Sequence, residues 1–361
     1  IMLIFRVVVL HGGVTFRDSR SAVDACKVAA TCAEAVDAVQ HLEASGAFNA
    51  GSGSSLTREG TLEMEAAVCR VDASGEMDFG AIGACSRLVS PVRVADAVAG
   101  SRKEQQNDGL IDPMVLVGAG AERWASNNDM PVVDIPAISP QSQKEWRRAM
   151  ELVNDTNAIA HLDSMRVMDT VGAVDMDLAD WSSTAACSSG GVILKRPGRL
   201  GHCTVFGAGA WVERREWKEA CFHRRRSVSI CLSGSGEAIV RVDGARTIAR
   251  RIVQRPDSTT VPEVVAAFYR EQFHAGNPLL GRMDPTQLYL GGVAIVREEK
   301  TREEGGGSED DDDEDDYLEA VVFHNTPFLP VAWRDAKGRV RGMTSKREEG
   351  GGDVVVTVLP L

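Results

Sequence analysis

The chain has 361 residues, 43% of them apolar, and a net charge of −12, which is enough for one large domain or two ordinary ones with a substantial core. The acidic balance, partly gathered in the run 309–316, argues against direct nucleic-acid binding; the apolar start, interrupted by Arg6, is too short to span a membrane and reads better as a first buried strand than as a signal peptide. The eight cysteines (26, 32, 69, 85, 187, 203, 221 and 231) contain no Cys-x-x-Cys pair, which argues against a zinc site or disulfide framework and for reduced thiols in an intracellular protein, cytoplasmic or nuclear.

Residues 6–10 form a β-branched run that ends at His11-Gly12-Gly13, a strand feeding a glycine turn. Cys26, Ala29, Ala30, Ala33 and Val36 recur at three- and four-residue spacing, predicting one helix that stops near Ser45-Gly46. Phe48-Asn49-Ala50-Gly51-Ser52-Gly53 follows as an irregular loop, which either simply turns or brings backbone amides to a ligand. Residues 62–71 and 79–88 read as strands joined at Asp72-Ala73-Ser74-Gly75, and 91–99 as a helix. The run 114–120 is tempting as a dinucleotide fingerprint but lacks the third glycine, so it reads as strand, turn and helix start. Between Pro131 and Met168 the pattern weakens, with Pro136 and Pro140 expected to break any element and a cleavage site at its end expected to be accessible.

After Thr170 strands are predicted at 171–176, 184–187, 203–212 and 227–232, adjacent and antiparallel. A helix runs from Gly236 to Ile252, interrupted at Asp243-Gly244, and Thr260-Val261-Pro262-Glu263 is a capping box that opens another. Strands at 288–297 and 317–324 flank an acidic loop, 303–316, that is too charged to bury and is expected to be disordered. A hairpin over 332–343 turns at Lys337-Gly338, and 354–358 closes the chain.

The chemistry centres on Asp169-Thr170-Val171-Gly172-Ala173-Val174. A threonine hydroxyl inside a chain has no base obliged to sit beside it. If the preceding bond breaks, the freed α-amine, with a pKa of about 7.7–8.0, becomes that base on the same residue. The plain alternative is a turn entering a strand. Ser188-Ser189-Gly190-Gly191, Lys195-Arg196-Pro197-Gly198-Arg199 and Ser233-Gly234-Ser235-Gly236-Glu237 match the needs of acyl transfer: a hydroxyl to orient the amine, amides for an oxyanion and an arginine fork for a carboxylate. Singly, each is also compatible with a solvated turn.

Together and in this order, with His11-Gly12-Gly13, Phe48-Asn49-Ala50-Gly51 and Phe79-Gly80-Ala81-Ile82-Gly83-Ala84, these runs resemble the N-terminal-nucleophile hydrolases of the plant-type asparaginase and isoaspartyl-peptidase group. The resemblance covers most of the chain. It implies an α/β fold, an αββα sandwich of two antiparallel sheets between helical layers, in a single domain over 1–361. Self-cleavage between Asp169 and Thr170 would divide it into an α fragment, 1–169, and a β fragment, 170–361. Asp169, Ser188-Ser189 and His202, which stands where small-substrate members carry an aspartate for the substrate's amine, are similar to the threonine aspartases (taspases), which cut proteins after aspartate.

Carried over by that resemblance, Thr170 is nucleophile and base, Ser189 orients its amine, and Ser233 and Gly234 form the oxyanion hole. Arg199 grips the substrate carboxylate, while Asn49, Gly51 and His202 line the site. The stretch from His11 to Asn49 is shorter than in the family, leaving Arg17 or Arg20 to replace an expected substrate-binding lysine. The implied partners are protein substrates with aspartate at the cut, with no nucleic acid or membrane, and the implied assembly is a homodimer of αβ units. No cofactor is implied beyond a structural sodium under the 42–49 loop. Two alternatives stay open: an isoaspartyl peptidase or L-asparaginase, and an inactive homologue that acts as a binding protein.

Overall fold

The computed structural model describes residues 6–101, 111–153, 170–219, 222–302, 315–348 and 352–361. The opening run forms strand β1 (Arg6–His11), whose alternation sorts the two apolar layers of the molecule. Val8 and Leu10 join one buried cluster and Val7 and Val9 the other, because successive side chains of a strand point to opposite faces.

The single helix expected over 26–45 is two, α1 (Arg20–Ala29) and α2 (Ala35–Ser45). The break has local causes. The Thr31 hydroxyl donates back to the Val28 carbonyl (2.7 Å), Ala33 is exposed, and α2 starts afresh where the Asp175 carboxylate accepts the Ala35 N–H at 2.7 Å. Strands β2 (Met64–Val71) and β3 (Met77–Cys85) pair as an antiparallel hairpin, followed by α3 (Pro91–Gly100). Helix α3 lies so close on β3 that a Cβ on Gly80 would strike the Ala95 carbonyl and stand 2.9 Å from Ala99 Cα, which accounts for the glycine at 80. The glycine run resolves into β4 (Val115–Val117) and α4 (Gly118–Asn127), as the missing third glycine implied.

Pro140 does not break the next segment; it opens α5 (Pro140–Val153), anchored by the Trp146 indole donating to the Thr57 carbonyl at 2.9 Å. A proline at the first helical turn lacks only an N–H that would be unpaired there anyway. The end of the unpatterned stretch, 154–168, lies outside the described residues together with Asp169.

Strands β5 (Val171–Asp177) and β6 (Ser183–Ser189) complete an eight-stranded sheet of order β12-β11-β1-β5-β6-β2-β3-β4, with β11 (Phe328–Arg334) and β12 (Val340–Lys346). The expectation that the strands after Thr170 form one consecutive antiparallel set fails between β6 and the next pair. Residues 202–209 contain a short 3-10 turn (His202–Thr204), and β7 (Ala210–Glu219) and β8 (Phe222–Gly234) belong to a second sheet. That five-stranded sheet has the order β13-β10-β9-β8-β7, with β9 (Leu290–Arg302), β10 (Asp315–His324) and β13 (Val355–Leu359).

Asp243, at φ +49°, divides the next helical stretch into α6 (Gly236–Arg241) and α7 (Gly244–Gln254), and α8 (Val261–Glu271) carries both halves of the capping box at Thr260 and Glu263. The helices α1, α2 and α3 cover the outer face of the first sheet, and α7 and α8 pack on the second. The two sheets face each other through β5 and β6 on β8 and β2 on β7, giving the expected αββα sandwich. The acidic loop expected over 303–316 ends sooner: Asp315 and Asp316 begin β10, and Asp316 holds Arg297 through two bonds of 3.1 Å, while 303–314 lie outside the described residues. Among the described residues, no helix is long and apolar enough to cross a membrane. All the described cysteines are free, and all but Cys32 are buried.

Candidate active site

Register brings the candidate nucleophile to its partner. Val171 stands opposite Ser188 in the β5–β6 pair, so the residues one step beyond, Thr170 and Ser189, meet on the face that looks into the sandwich. The Thr170 hydroxyl donates to Ser189 Oγ at 3.1 Å, and Ser189 Oγ also accepts the Gly191 N–H at 2.9 Å. Both residues are buried. Ser188, one residue earlier, turns to the opposite face and takes no part. On the other side of β6, Glu65 pairs with Ser189 across β2.

A cleft open to solvent runs beside Thr170, lined by Glu65, Ser189, Arg199, His202, Gly234 and Gly236 among others. Arg199 is presented edge-on: its Nε and Nη2 make a bidentate pair with Glu237 at 2.8 and 2.7 Å, which fixes the plane of the guanidinium. Its Nη1 stands 2.8 Å from where a Cβ on Gly201 would be and 3.0 Å from the same point on Gly191, so glycine at both positions leaves room for the fork. His202 is buried, with Nε2 3.1 Å from the Leu232 carbonyl; burial pushes its pKa down to about 4, so the ring is neutral near pH 7 and donates that bond.

The expected oxyanion pair divides. Gly234 lines the cleft at φ +139°, a conformation that other residues rarely adopt, packed against the Tyr289 carbonyl. The Ser233 hydroxyl instead accepts the Val14 N–H at 3.1 Å, tying the loop after His11 to the end of β8. His11 itself is buried and, by accepting the Gly13 N–H on Nδ1 at 3.2 Å, carries its proton on Nε2; burial lowers its pKa to about 3.

Asn49 and Gly51 are not among the residues lining the cleft; they support it from behind. The Asn49 carboxamide donates to the Gly191 carbonyl (2.7 Å) and accepts the Ser55 N–H (2.8 Å), and its own carbonyl accepts the Gly190 N–H (2.9 Å), which holds the turn after Ser189 in place. Gly51, at φ +54°, presses on the backbone of Glu43, where a Cβ has no space. Arg17 and Arg20 are exposed and do not line the cleft either. In the loop below, the Gly46 and Phe48 carbonyls both stand close to Gly53, and the Phe48 carbonyl accepts the Ala50 N–H at 2.8 Å. No group of three or more His, Cys, Asp or Glu side chains that could hold a metal ion occurs among the described residues.

Sequence reasoning missed Glu65. Its Oε2 accepts the Gly201 N–H at 2.5 Å, and its Oε1 is buried with no hydrogen-bond partner among the described residues, beside Arg199 at Gly201. Burial pushes its pKa up, and the Arg199 and Lys195 cations pull it back. A carboxylate in the apolar pattern of β2 was the available signal.

An N-terminal-nucleophile hydrolase is the class that this sandwich defines, with a threonine at the head of an inner strand and a serine beside it. Residues 17–271, well over half the chain, match the asparaginase family, and the chain belongs to that family. It is 33% identical over 217 residues to an isoaspartyl peptidase of Salmonella typhimurium, covering 59% of this chain and 61% of that one. It is 28% identical over 267 residues to an isoaspartyl peptidase/L-asparaginase of Danio rerio (74% and 73%) and 32% identical over 184 residues to a plant-type L-asparaginase of Pyrococcus furiosus (48% and 55%). The chain thus spans about three fifths of the length of the bacterial isoaspartyl peptidases it matches.

Proposed function

We propose that the protein is an amidohydrolase using Thr170 as its nucleophile, of the isoaspartyl peptidase/L-asparaginase kind, breaking the side-chain amide of asparagine or of a β-aspartyl peptide. The observation that carries this reading is the buried Thr170–Ser189 pair at the edge of a cleft that also presents the Arg199 fork. The names of the relatives support it. The chain first breaks its own bond before Thr170, giving fragments 1–169 and 170–361 that stay together as one αβ unit and pair as a homodimer.

In the mature protein the free Thr170 amine takes the proton of Oγ1 as the oxygen attacks the amide carbon, and Ser189 Oγ orients the pair. The tetrahedral oxyanion faces the backbone around Gly234, the leaving amine departs with the proton returned by the Thr170 ammonium, and water repeats the sequence on the acyl ester. Arg199 holds the substrate carboxylate. A sodium under the 42–49 loop would stiffen the support behind Ser189 and enters no step.

A second reading, an endopeptidase that cuts protein substrates after aspartate, is favoured by His202. A buried neutral imidazole supplies no negative charge for a free α-ammonium, and a substrate whose chain continues would need none. One preparation assayed on asparagine, β-aspartyl dipeptides and internal-aspartate peptides separates the two. Hydrolysis of the small substrates upholds the first reading, and internal cutting alone upholds the second.

A further inference from the structure

We propose that Glu65 is the residue that recognises the substrate's free α-ammonium, so that Arg199 and Glu65 together read the amino-acid head group. The inference rests on the isoaspartyl peptidase/asparaginase reading and answers its main difficulty, the absence of an acid at His202.

Thr170, Ser189 and Glu65 project from three successive strands onto one face, and Glu65 lines the same cleft as Arg199 and His202. Glu65 is 1% exposed, so its carboxylate has given up water, and only one of its oxygens is compensated, by the Gly201 N–H. Oε1 has no partner among the described residues. A half-satisfied buried carboxylate is unfavourable unless something cationic completes it. The Arg199 and Lys195 cations favour its ionised form, but neither donates a hydrogen bond to Oε1; the Lys195 ammonium donates to the Glu63 carbonyl at 2.7 Å. A structural anchor for Gly201 would need one acceptor, which an amide supplies as well as a carboxylate. The second oxygen, beside Nη1 of Arg199, is where a group carrying both a carboxylate and an ammonium would be gripped from two sides. An arriving ammonium also adds a cation to those of Arg199 and Lys195 and favours the ionised form of Glu65.

The test is steady-state hydrolysis of a β-aspartyl dipeptide and its N-acetylated counterpart by self-cleaved wild type, Glu65→Gln and Glu65→Asp. Glutamine keeps an oxygen for the Gly201 N–H and removes the charge. The expected result is a rise in KM of about tenfold or more for the free-amine substrate in Glu65→Gln, a smaller change in kcat, no change in KM for the acetylated substrate, and recovery in Glu65→Asp. Equal KM values for wild type and Glu65→Gln on the free-amine substrate overturn the inference while leaving the proposed function intact. A wild type that hydrolyses neither dipeptide overturns both. If Glu65→Gln does not fold, calorimetry on wild type decides: aspartate should bind about tenfold or more tighter than succinate, which lacks only the ammonium, and equal binding overturns the inference.

Discussion

Thr170 donates its hydroxyl proton to Ser189 across 3.1 Å, and the contact is fixed by the pairing of Val171 with Ser188 one residue away. The nucleophile is therefore positioned by sheet register and not by a flexible loop. Ser189→Ala should lower kcat about a hundredfold, the scale for loss of one polar group at the reacting centre, with a smaller change in KM because Ser189 does not hold the substrate carboxylate. Steady-state kinetics on mature protein checks this, and an unchanged kcat would remove Ser189 from the catalytic group.

The Arg199–Glu237 pair makes a separate prediction. Arg199→Lys keeps the charge but loses the fork, so KM should rise about tenfold or more. Glu237→Gln, which loosens the plane of the guanidinium, should raise KM less. Equal KM values for Arg199→Lys and wild type would show that the carboxylate binds elsewhere.

Gly80 tests the packing of α3 on β3. Gly80→Ala places a methyl against the Ala95 carbonyl and the Ala99 backbone, which must shift as a helix and not as a side chain. A loss of about 1–3 kcal/mol is expected in urea unfolding. An unchanged midpoint would mean that the helix has slack.

Much of this arrangement was legible in the sequence, for identifiable reasons. Apolar runs bounded by turn residues marked β1, β2 and β5, and the capping box at Thr260 marked α8, because each signal is local. The α1–α2 break depends on Asp175, a residue 140 positions from Ala35, and the change of sheet after β6 goes with the pairing of β8 to the distant β9; neither is encoded nearby. At the site, Thr170, Ser189, Arg199 and Gly234 came from short motifs. Asn49 had the right neighbourhood but supports the turn after Ser189, and Glu65 was missed because one acid in a strand looks like an edge residue until Ser189 is found opposite it.

Stability should depend on pH through Glu43. Its carboxylate caps α3, accepting the Val92 N–H at 3.0 Å and the Ser90 hydroxyl at 2.7 Å, and burial pushes its pKa to about 7 from 4.5. Between those values the folded protein holds a proton that the unfolded chain has lost, so this contribution is complete below about 4.5 and is lost as pH rises through about 7. Glu43→Gln stays neutral throughout. Relative to wild type it should gain stability, on the order of a few kcal/mol, between pH 5 and pH 8. Urea midpoints at the two pH values check this, and a difference independent of pH would contradict it.

The central claim is that Thr170 acts as an N-terminal residue, and intact-mass spectrometry of the purified protein tests it most directly. Wild type should resolve into 1–169 and 170–361, with masses summing to the chain plus one water, while Thr170→Ala stays whole and inactive. A wild type that remains one uncut chain while hydrolysing its substrate, or a Thr170→Ala protein that divides at the same bond, would contradict the account.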